Sequence, residues 1–561
     1  MWRRRALGPW VAPPADGQQT VSSQQQQAPR KRLVAAVASA PTTFNLMIGG
    51  ALARTPGIEA LALLAHSGLS IYDDRGELRP QLAETIPTVE NGLWKVFPDG
   101  RMELTFTIRQ GAQWHDGTPL TTDDLLFTLK LHQDQDMPVF FHLGHAGIER
   151  AEARDSRTVV TYWRSPFVAA NNAFGFQGFR SLLPVPRHLL ERPLAQDKAT
   201  FTDLPIWSSA FVGAGPFKLR EWVVDSHVVL EANDRYVLGR PKIDEVEVRF
   251  IPASSTLVAN LLAGSVDLTM GRTLVLEQAM EVLNNRAGLT KMDVAPAGPM
   301  VAYPQFMNAR PAILTNLDFR RALLHAVDRQ EMVDTLVAGQ TSVAHTFVHP
   351  TESNYAAVEA QVVRYDFDPR RASQLLEGIG LTRDADGSYR DSSGARLTVE
   401  VRSGAGGLLE KAALTLADAW RRAGVGADLV VVPPQLDSDV EYKATFPGFE
   451  VVQRLINIDE LTRVLHSAES PLAENRYRGG NRGRYISPDL DALLDRYAVT
   501  MPGPERSDLL GKIVRHVGEN AVIAGLFWGV DATVYSSRVR NVHGAFPRSM
   551  QSWNAHEWEL E

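Results

Sequence analysis

The chain predicts an open α/β fold divided into more than one domain, and three observations carry that expectation. Runs with the period-two alternation of half-buried strands recur between stretches of helical spacing in every region. Capping residues and prolines mark helix starts at the expected offsets. With 561 residues, 44 % of them hydrophobic, the chain is long enough to bury more than one core.

Taken in order, the first marked helix follows Thr121, which forms a capping pair with Asp124 before Leu125, Leu126 and Leu129. Gly213 and Gly215 flank a sharp turn where a residue without Cβ is needed, and Pro216 fixes φ for a strand from Phe217 to Trp222. Val228 and Leu230, then Val246, Val248 and Phe250, alternate with polar partners as strands do. Leu257, Val258, Leu261 and Leu262 stand at helical spacing, with Gly264 in the C-terminal cap position. Asp368-Pro369 and Ser487-Pro488 each put an acceptor at the cap and proline at the first helical position. A strand from Leu397 to Val401, a helix through Leu414 and Trp420 and a strand from Asp428 to Val432 complete the pattern, and no repeat of solenoid length interrupts it.

Bulk properties exclude several functions. A net charge of −7 with interleaved signs offers no basic face to nucleic acid or anionic lipid. No run approaches the roughly 18 apolar residues of a membrane span. The absence of cysteine removes zinc-thiolate and thiol-nucleophile chemistry. Residues 1–32 combine a basic start, a proline-rich patch and Ser22-Ser-Gln-Gln-Gln-Gln27, the composition of a disordered tether. Arg3-Arg-Arg5 precedes a stretch with three prolines and no adequate apolar core, so a recognisable signal sequence is lacking and the native start is expected to be missing or misassigned.

The constellations that imitate chemistry are incomplete. Ser403-Gly-Ala-Gly-Gly407 resembles a dinucleotide fingerprint, but Leu409 stands where the third glycine belongs; a helix N-terminus facing an anionic part of a ligand is the better reading. His142 with His145, and His345 with His349, have spacings that suit a metal, yet no third ligand of good type lies near either pair. Trp114-His115-Asp116 tempts as catalytic machinery, but Asp116-Gly117 followed by Pro119 reads as a turn. No nucleophile elbow, phosphate loop or zinc-protease helix occurs, so no catalytic residue, metal site or cofactor is expected.

The ordered set Gly76-Glu-Leu-Arg-Pro-Gln-Leu-Ala-Glu84, Asp99 to Arg109, Trp114 to Asp124, Gly213-Ala-Gly-Pro-Phe-Lys-Leu-Arg-Glu-Trp222, Asp244 to Pro252, Leu261 to Leu268, Phe319 to Arg329, Tyr365 to Leu376 and Ser487 to Leu494 closely resembles the dipeptide/oligopeptide-binding receptors of ABC transporters, the family 5 extracellular solute-binding proteins. The resemblance runs from about Leu33 to the C-terminus and makes Leu33 to Ala40 the first strand. It implies a two-lobed periplasmic-binding-protein fold (type II) with an extra subdomain and two hinge strands. On that pattern lobe I holds 33–77, 206–302 and 485–561, an inserted subdomain holds 78–205, and lobe II runs from 303 to 484. The hinges fall near Tyr303 to Asn308 and Arg484 to Ile486, including Tyr485.

The resemblance further implies a periplasmic or extracytoplasmic, monomeric receptor that passes a peptide or peptide-like ligand to an ABC permease with cytoplasmic ATPases. Peptide-binding members carry an aspartate in lobe II that pairs with the ligand's amino group. In Phe449 to Ser467, Gln453 or Arg454 aligns at or beside that acid, and Asp459 falls several residues late. Arginine there repels an ammonium and favours a carboxylate or phosphate. The ligand-binding candidates are therefore Tyr303, Phe306, Gln453, Arg454, Asn457 and Asp459, with pairing by Asp459 or Glu460, or Arg454 as solvated surface, as alternatives. Sugars, opines and metal chelates stay open as ligands, and a two-lobed enzyme or transport-independent sensor is the competing class.

Overall fold

A computed structural model describes residues 30–48, 57–137, 147–176, 181–436, 438–454, 456, 458, 461–544 and 549–561. The expected tether, apart from its last three residues, lies outside the described residues, as do His142, His145, Asn457 and Asp459.

Among the described residues ten strands join one sheet: β1 (Arg32–Val37), β2 (Phe217–Val223), β3 (His227–Ala232), β4 (Glu245–Phe250), β5 (Leu268–Thr269), β6 (Thr290–Pro304), β7 (Thr398–Gly404), β8 (Gly426–Val432), β9 (Phe449–Gln453) and β10 (Ala524–Ser536). Their order is β8-β7-β9-β6-β10-β5-β1-β4-β3-β2. β6 and β10 form a long antiparallel ribbon through the centre, paired from Thr290↔Ser536 to Ala302↔Ala524 with register shifts between Ala297 and Pro299 and between Met300 and Val301. β5 attaches to one end of it, at Leu268↔Tyr535, and carries parallel β1 and β4. β9 attaches to the other end, from Met300↔Gln453 to Pro304↔Phe449, and carries parallel β7 and β8.

Each half of the sheet has its own core. Leu33, Ala35 and Val37 of β1 pack with Val246 and Val248 of β4 against helix α1 (Ile58–Ala65), seven of whose eight residues are buried. In the other half Val399, Val401, Phe449 and Val451 pack under Ala412, Leu416 and Trp420 of a later helix (Gly407–Arg422). Alternating inward side chains on the strands and an apolar stripe on each helix produce both layers. A separate four-stranded antiparallel sheet, Trp94–Val96, Met102–Thr107, Thr158–Trp163 and Ile148–Ala153, buries Leu104, Phe106 and Trp163 with Leu125 and Leu129 of α2 (Thr122–Gln133).

The cap signals sit where the sequence puts them. Thr121 and Asp124 close a capping box on α2, and Gly264 takes φ 71° after α3 (Ser254–Ala263). Asp368 accepts from the Arg371 amide before α4 (Pro369–Gly378), and Ser487 accepts from the Leu490 amide before a helix at Pro488–Val499.

The need for residues without Cβ at 213 and 215 holds: a Cβ on Gly213 would lie 2.1 Å from the Ala65 carbonyl oxygen and one on Gly215 2.4 Å from its carbonyl carbon, so the loop is glycine because it presses on the end of α1. The second hinge is corrected. No strand occupies Arg484 to Ile486, and the second crossing strand is β10. The helices after Tyr485 bury Leu490, Leu494, Leu509, Leu510 and Ile513 with Phe347, Val348, Ile456 and Leu461, so residues from 485 to about 523 pack with the expected second lobe and not the first.

His115 clasps the glycine loop. Its Nδ1 accepts from the Gly213 amide at 3.1 Å while Nε2 lies 3.1 Å from the Gly215 carbonyl oxygen, the arrangement of a neutral ring with Nε2 protonated. Asp116 turns outward to His188 at 2.7 Å. Burial pushes the His115 ring down to about 3 from an ordinary 6.5. Between those values the unfolded chain binds a proton that the folded ring refuses, so the clasp's contribution is complete above pH 6.5 and lost as pH falls toward 3. His115→Ala is expected to lower unfolding stability by about 1–3 kcal/mol at pH 7 and to flatten the acid limb of a urea-denaturation series across that window.

Candidate functional site

Strand direction locates the site. β1, β4 and β5 run with their carboxyl ends toward the middle of the β6–β10 ribbon, and β7 and β9 approach the same stretch from the other side. In open α/β sheets ligands bind beyond the carboxyl ends of the strands, and here two such edges face each other. From Lys291, opposite Tyr535, to Met300, opposite Gln453, the ribbon runs roughly 30 Å at ~3.3 Å per residue.

The floor of this cleft is glycine-lined. Gln453 Nε2 donates to the Gly298 carbonyl oxygen at 3.2 Å, and a Cβ on Gly529 would fall 2.0 Å from that same nitrogen. The amide side chain therefore lies directly over the ribbon, and any side chain at 529 would displace it. Nearby, Trp528 packs edge-on against His349, ring centroids 4.5 Å apart. Burial lowers the His349 ring to about 4, and its Nδ1 lies 2.7 Å from Thr351 Oγ1.

The second-half wall is rich in arginine. Arg454, just past β9, donates its amide to the Pro299 carbonyl oxygen at 3.1 Å and Nη1 to the Gly480 carbonyl oxygen at 2.9 Å. Beneath it, buried Glu450 receives Arg482 through Nε and Nη2, both at 2.6 Å, and Arg402 Nη2 at 3.0 Å. Arg402 also donates to the Tyr442 and Lys443 carbonyl oxygens, 2.9 and 2.6 Å away, on the short helix Val440–Ala444. This triad fastens that helix and the 478–484 segment onto the sheet. Between them lies a cavity of about 440 Å³ lined by Ser438, Lys443, Tyr477, Arg478 and Arg482 among others. Its lining residue Gly479 is followed by Gly480, whose carbonyl oxygen Arg454 holds.

The helix Gly407–Arg422 starts at this edge, as Ser403 to Gly407 suggests, but its own Glu410 accepts from the Gly406 amide at 2.6 Å. The anion expected from a ligand there is already supplied by the chain.

On the first-half wall α1 begins where β1 and β5 end: a Cβ on Gly57 would lie 2.7 Å from a Val37 methyl and 2.8 Å from the Met270 carbonyl oxygen. On the same side Arg272, just past β5, stands 3.8 Å from Asp531 of β10. Sequence reasoning missed this pair; the available signal was an acid, Asp531, between Val530 and Ala532 in a strand that is mostly apolar.

Of the candidates read from the sequence, Gln453 and Arg454 reach the cleft edge. Tyr303 is 3 % exposed, with its phenol among Arg454, Arg482 and Glu450. Phe306 packs against Tyr485 with ring centroids 4.9 Å apart and planes tilted by 59°, and Asn308 is exposed just beyond. Phe306 and Asn308 follow Pro304, which pairs with Phe449 at the amino-terminal end of β9, and Tyr485 packs there with Phe306, so these three lie away from the carboxyl edge, whereas Tyr303, opposite Glu450, is buried within the arginine wall. His345 and His349 lie in the same loop, with Nδ1 of the second engaged by Thr351. Among the described residues no group of three His, Cys, Asp or Glu is arranged to hold a metal, and no helix is long and apolar enough to cross a membrane.

Comparison with known proteins supplies a context. Residues 77–453 match the family described as bacterial extracellular solute-binding proteins, family 5 Middle. The chain is 24 % identical over 413 residues to the oligopeptide-binding protein AppA of Bacillus subtilis, covering 71 % of this chain and 70 % of that one. It is 23 % identical over 552 residues to the periplasmic oligopeptide-binding protein OppA of Salmonella typhimurium, covering 91 % and 93 %. The crystal structure of NikZ from Campylobacter jejuni in complex with Ni(L-His) superposes with a TM-score of 0.70 at 21 % identity, over 95 % of this chain and all of that one.

The buried triad gives a direct test of how the arginine wall is held. Glu450→Gln leaves Arg402 and Arg482 without their shared counter-charge and is expected to cost about 3–5 kcal/mol in chemical denaturation, whereas Glu152→Gln, in an exposed pair with Arg150, is expected to change stability by less than about 1 kcal/mol.

Proposed function

The chain belongs to the bacterial extracellular solute-binding proteins of family 5, and from that premise we propose that it is the extracytoplasmic receptor of an ABC importer, binding a peptide or peptide-like ligand and delivering it to the transmembrane permease subunits that cytoplasmic ATPases drive. The observation that carries the reading is the pair of carboxyl edges facing each other across the β6–β10 ribbon. On this reading the lobes divide within the ribbon: one holds β1 to β5 with the inserted four-stranded unit, the other holds β7 to β9 with the helices that follow Tyr485.

Binding is a population shift. A ligand that touches both walls only when they approach favours the closed state by its differential contacts, and no covalent step is involved. The receptor acts as a monomer without cofactor or nucleic acid, and turns nothing over. Native mass spectrometry of the protein after gentle purification identifies the ligand; recovery of a chemically altered compound after incubation overturns the receptor reading in favour of an enzyme. Saturation with that ligand is expected to reduce the radius of gyration in small-angle scattering, and superimposable curves with and without it exclude lobe closure.

A receptor for a non-peptide solute is the second reading. The relative NikZ is described with a nickel–histidine complex, and Arg454 with Gln453 at the carboxyl edge suits an anionic ligand group. For the identified ligand, Arg454→Ala is expected to weaken binding by roughly 2–5 kcal/mol by leaving a buried anion unpaired, and Asp459→Asn to do little. The reverse pattern in titration calorimetry assigns recognition to Asp459 and an amine.

A further inference from the structure

The second half of the molecule buries more positive charge than it balances. Arg402 and Arg482 share one carboxylate, Glu450. Two residues beyond Arg482 stands Arg484, 4 % exposed, whose Nε donates to the Gln305 amide oxygen at 3.1 Å. Gln305 Nε2 donates onward to the Ala444 carbonyl oxygen at 3.2 Å. Arg402 Nε and Arg484 Nη2 are buried without an acceptor among the described residues. Hydrogen bonds thus hold this wall together while its charge is left in surplus, and charge removed from water calls for a counter-charge.

Buried arginines elsewhere lack room for one. Arg320 donates to the Leu314 and Asn520 carbonyl oxygens, and Arg329 to that of Gly525. The cavity these two line is about 10 Å³, enough for no more than a water molecule. The cavity beside the Arg402–Glu450–Arg482 triad is about 440 Å³. Three cations line it, Lys443, Arg478 and Arg482, and among the described residues no acid does. Arg482 spends Nε and Nη2 on Glu450, and its Nη1 meets no acceptor among the described residues. The remaining lining is largely apolar, with Val440, Ala444 and Pro471.

Both sides of the cavity are held in shape. Arg402 pins the helix Val440–Ala444 by the Tyr442 and Lys443 carbonyl oxygens. Across from it Arg476 and Tyr477 take φ of 57° and 56°, and a Cβ on Gly479 would lie 2.1 Å from the Glu469 carbonyl oxygen. Consecutive non-glycine residues keep left-handed backbone only where their surroundings impose it, a cost met at ligand sites. Tyr477 is fixed by its hydroxyl, which donates to Glu441 Oε1 at 2.9 Å, and Arg478 follows it to the cavity.

We propose that this pocket binds an organic anion, a carboxylate or phosphate on a compact apolar body, with its charge on Arg478 and Arg482 and its body along Val440, Ala444 and Pro471. The volume lies within the ~300–1,000 Å³ of small-molecule sites and exceeds what a bare oxyanion fills. Every lining residue belongs to the second half, so the site needs neither lobe closure nor the receptor reading.

The test is calorimetry on the full chain with benzoate, benzamide, phenyl phosphate and inorganic phosphate. Benzoate is expected to bind about tenfold or more tightly than benzamide, and phenyl phosphate likewise over inorganic phosphate, because charge and body each contribute. The tighter of the two aromatic anions identifies the head group the pocket prefers. Arg478→Glu, at an exposed residue, is expected to weaken both aromatic anions by about tenfold or more with an unchanged circular dichroism spectrum. Arg370→Glu, an equal change of charge at an exposed residue of α4, is expected to leave them unaffected. Benzamide matching benzoate, or inorganic phosphate matching phenyl phosphate, overturns the organic-anion pocket. So does affinity that survives Arg478→Glu, an equal loss in Arg370→Glu, or failure of every probe to bind. The receptor reading stands or falls separately, on the ligand recovered by native mass spectrometry and on its effect on scattering.

Discussion

The antiparallel pairing of β6 with β10 is the constraint on which the rest of the molecule depends. Neither half of the sheet touches the other through its own strands; β5 hangs from one end of the ribbon and β9 from the other. Because parallel strands follow on each side, the ribbon also fixes which edges face inward, and so creates a cleft from backbone direction alone. An antiparallel two-stranded connection twists and bends more readily than a packed sheet, which suits a part that must flex between domains while keeping them aligned.

The two walls are built by different physics. On the arginine side a buried Arg402–Glu450–Arg482 triad satisfies itself and clamps a helix and a loop in place, so the wall is rigid before any ligand arrives. On the opposite side Asp531 meets Arg272 at 3.8 Å through an arginine side chain that is 61 % exposed, so that pair is held far less firmly.

Much of the fold was legible in the sequence because its signals are local. Thr121 with Asp124, Asp368-Pro369, Ser487-Pro488 and Gly264 announce helix ends through groups at most four residues apart, and the structure uses each one. The cleft was only half legible. Gln453 and Arg454 are found because the resemblance aligns them at or beside a ligand-pairing acid, whereas Arg272 and Asp531 are 259 residues apart and meet only through topology. The misplaced hinge has the same origin. Tyr485 precedes a clear helix start, and nothing near it in sequence says that the second crossing strand waits until Ala524. Even the Gly213–Gly215 turn, correctly seen as needing glycine, owes that need to the distant carbonyl of Ala65 and not to its own dihedrals.

That same ribbon governs the order in which the chain acquires structure. β6 ends at Pro304 and its partner β10 finishes at Ser536, so the middle of the sheet is completed by nearly the last strand to be synthesised. At ~5–20 residues per second, roughly 10–50 s separate the appearance of the two. Throughout that interval β5 and β6 both lack their central neighbour, and the first half of the sheet is left with an open edge. A nascent chain of this design is a template for unwanted strand pairing until its C-terminal region arrives. Any shortening that removes β10 therefore unmakes both halves of the protein at once, however intact their separate cores.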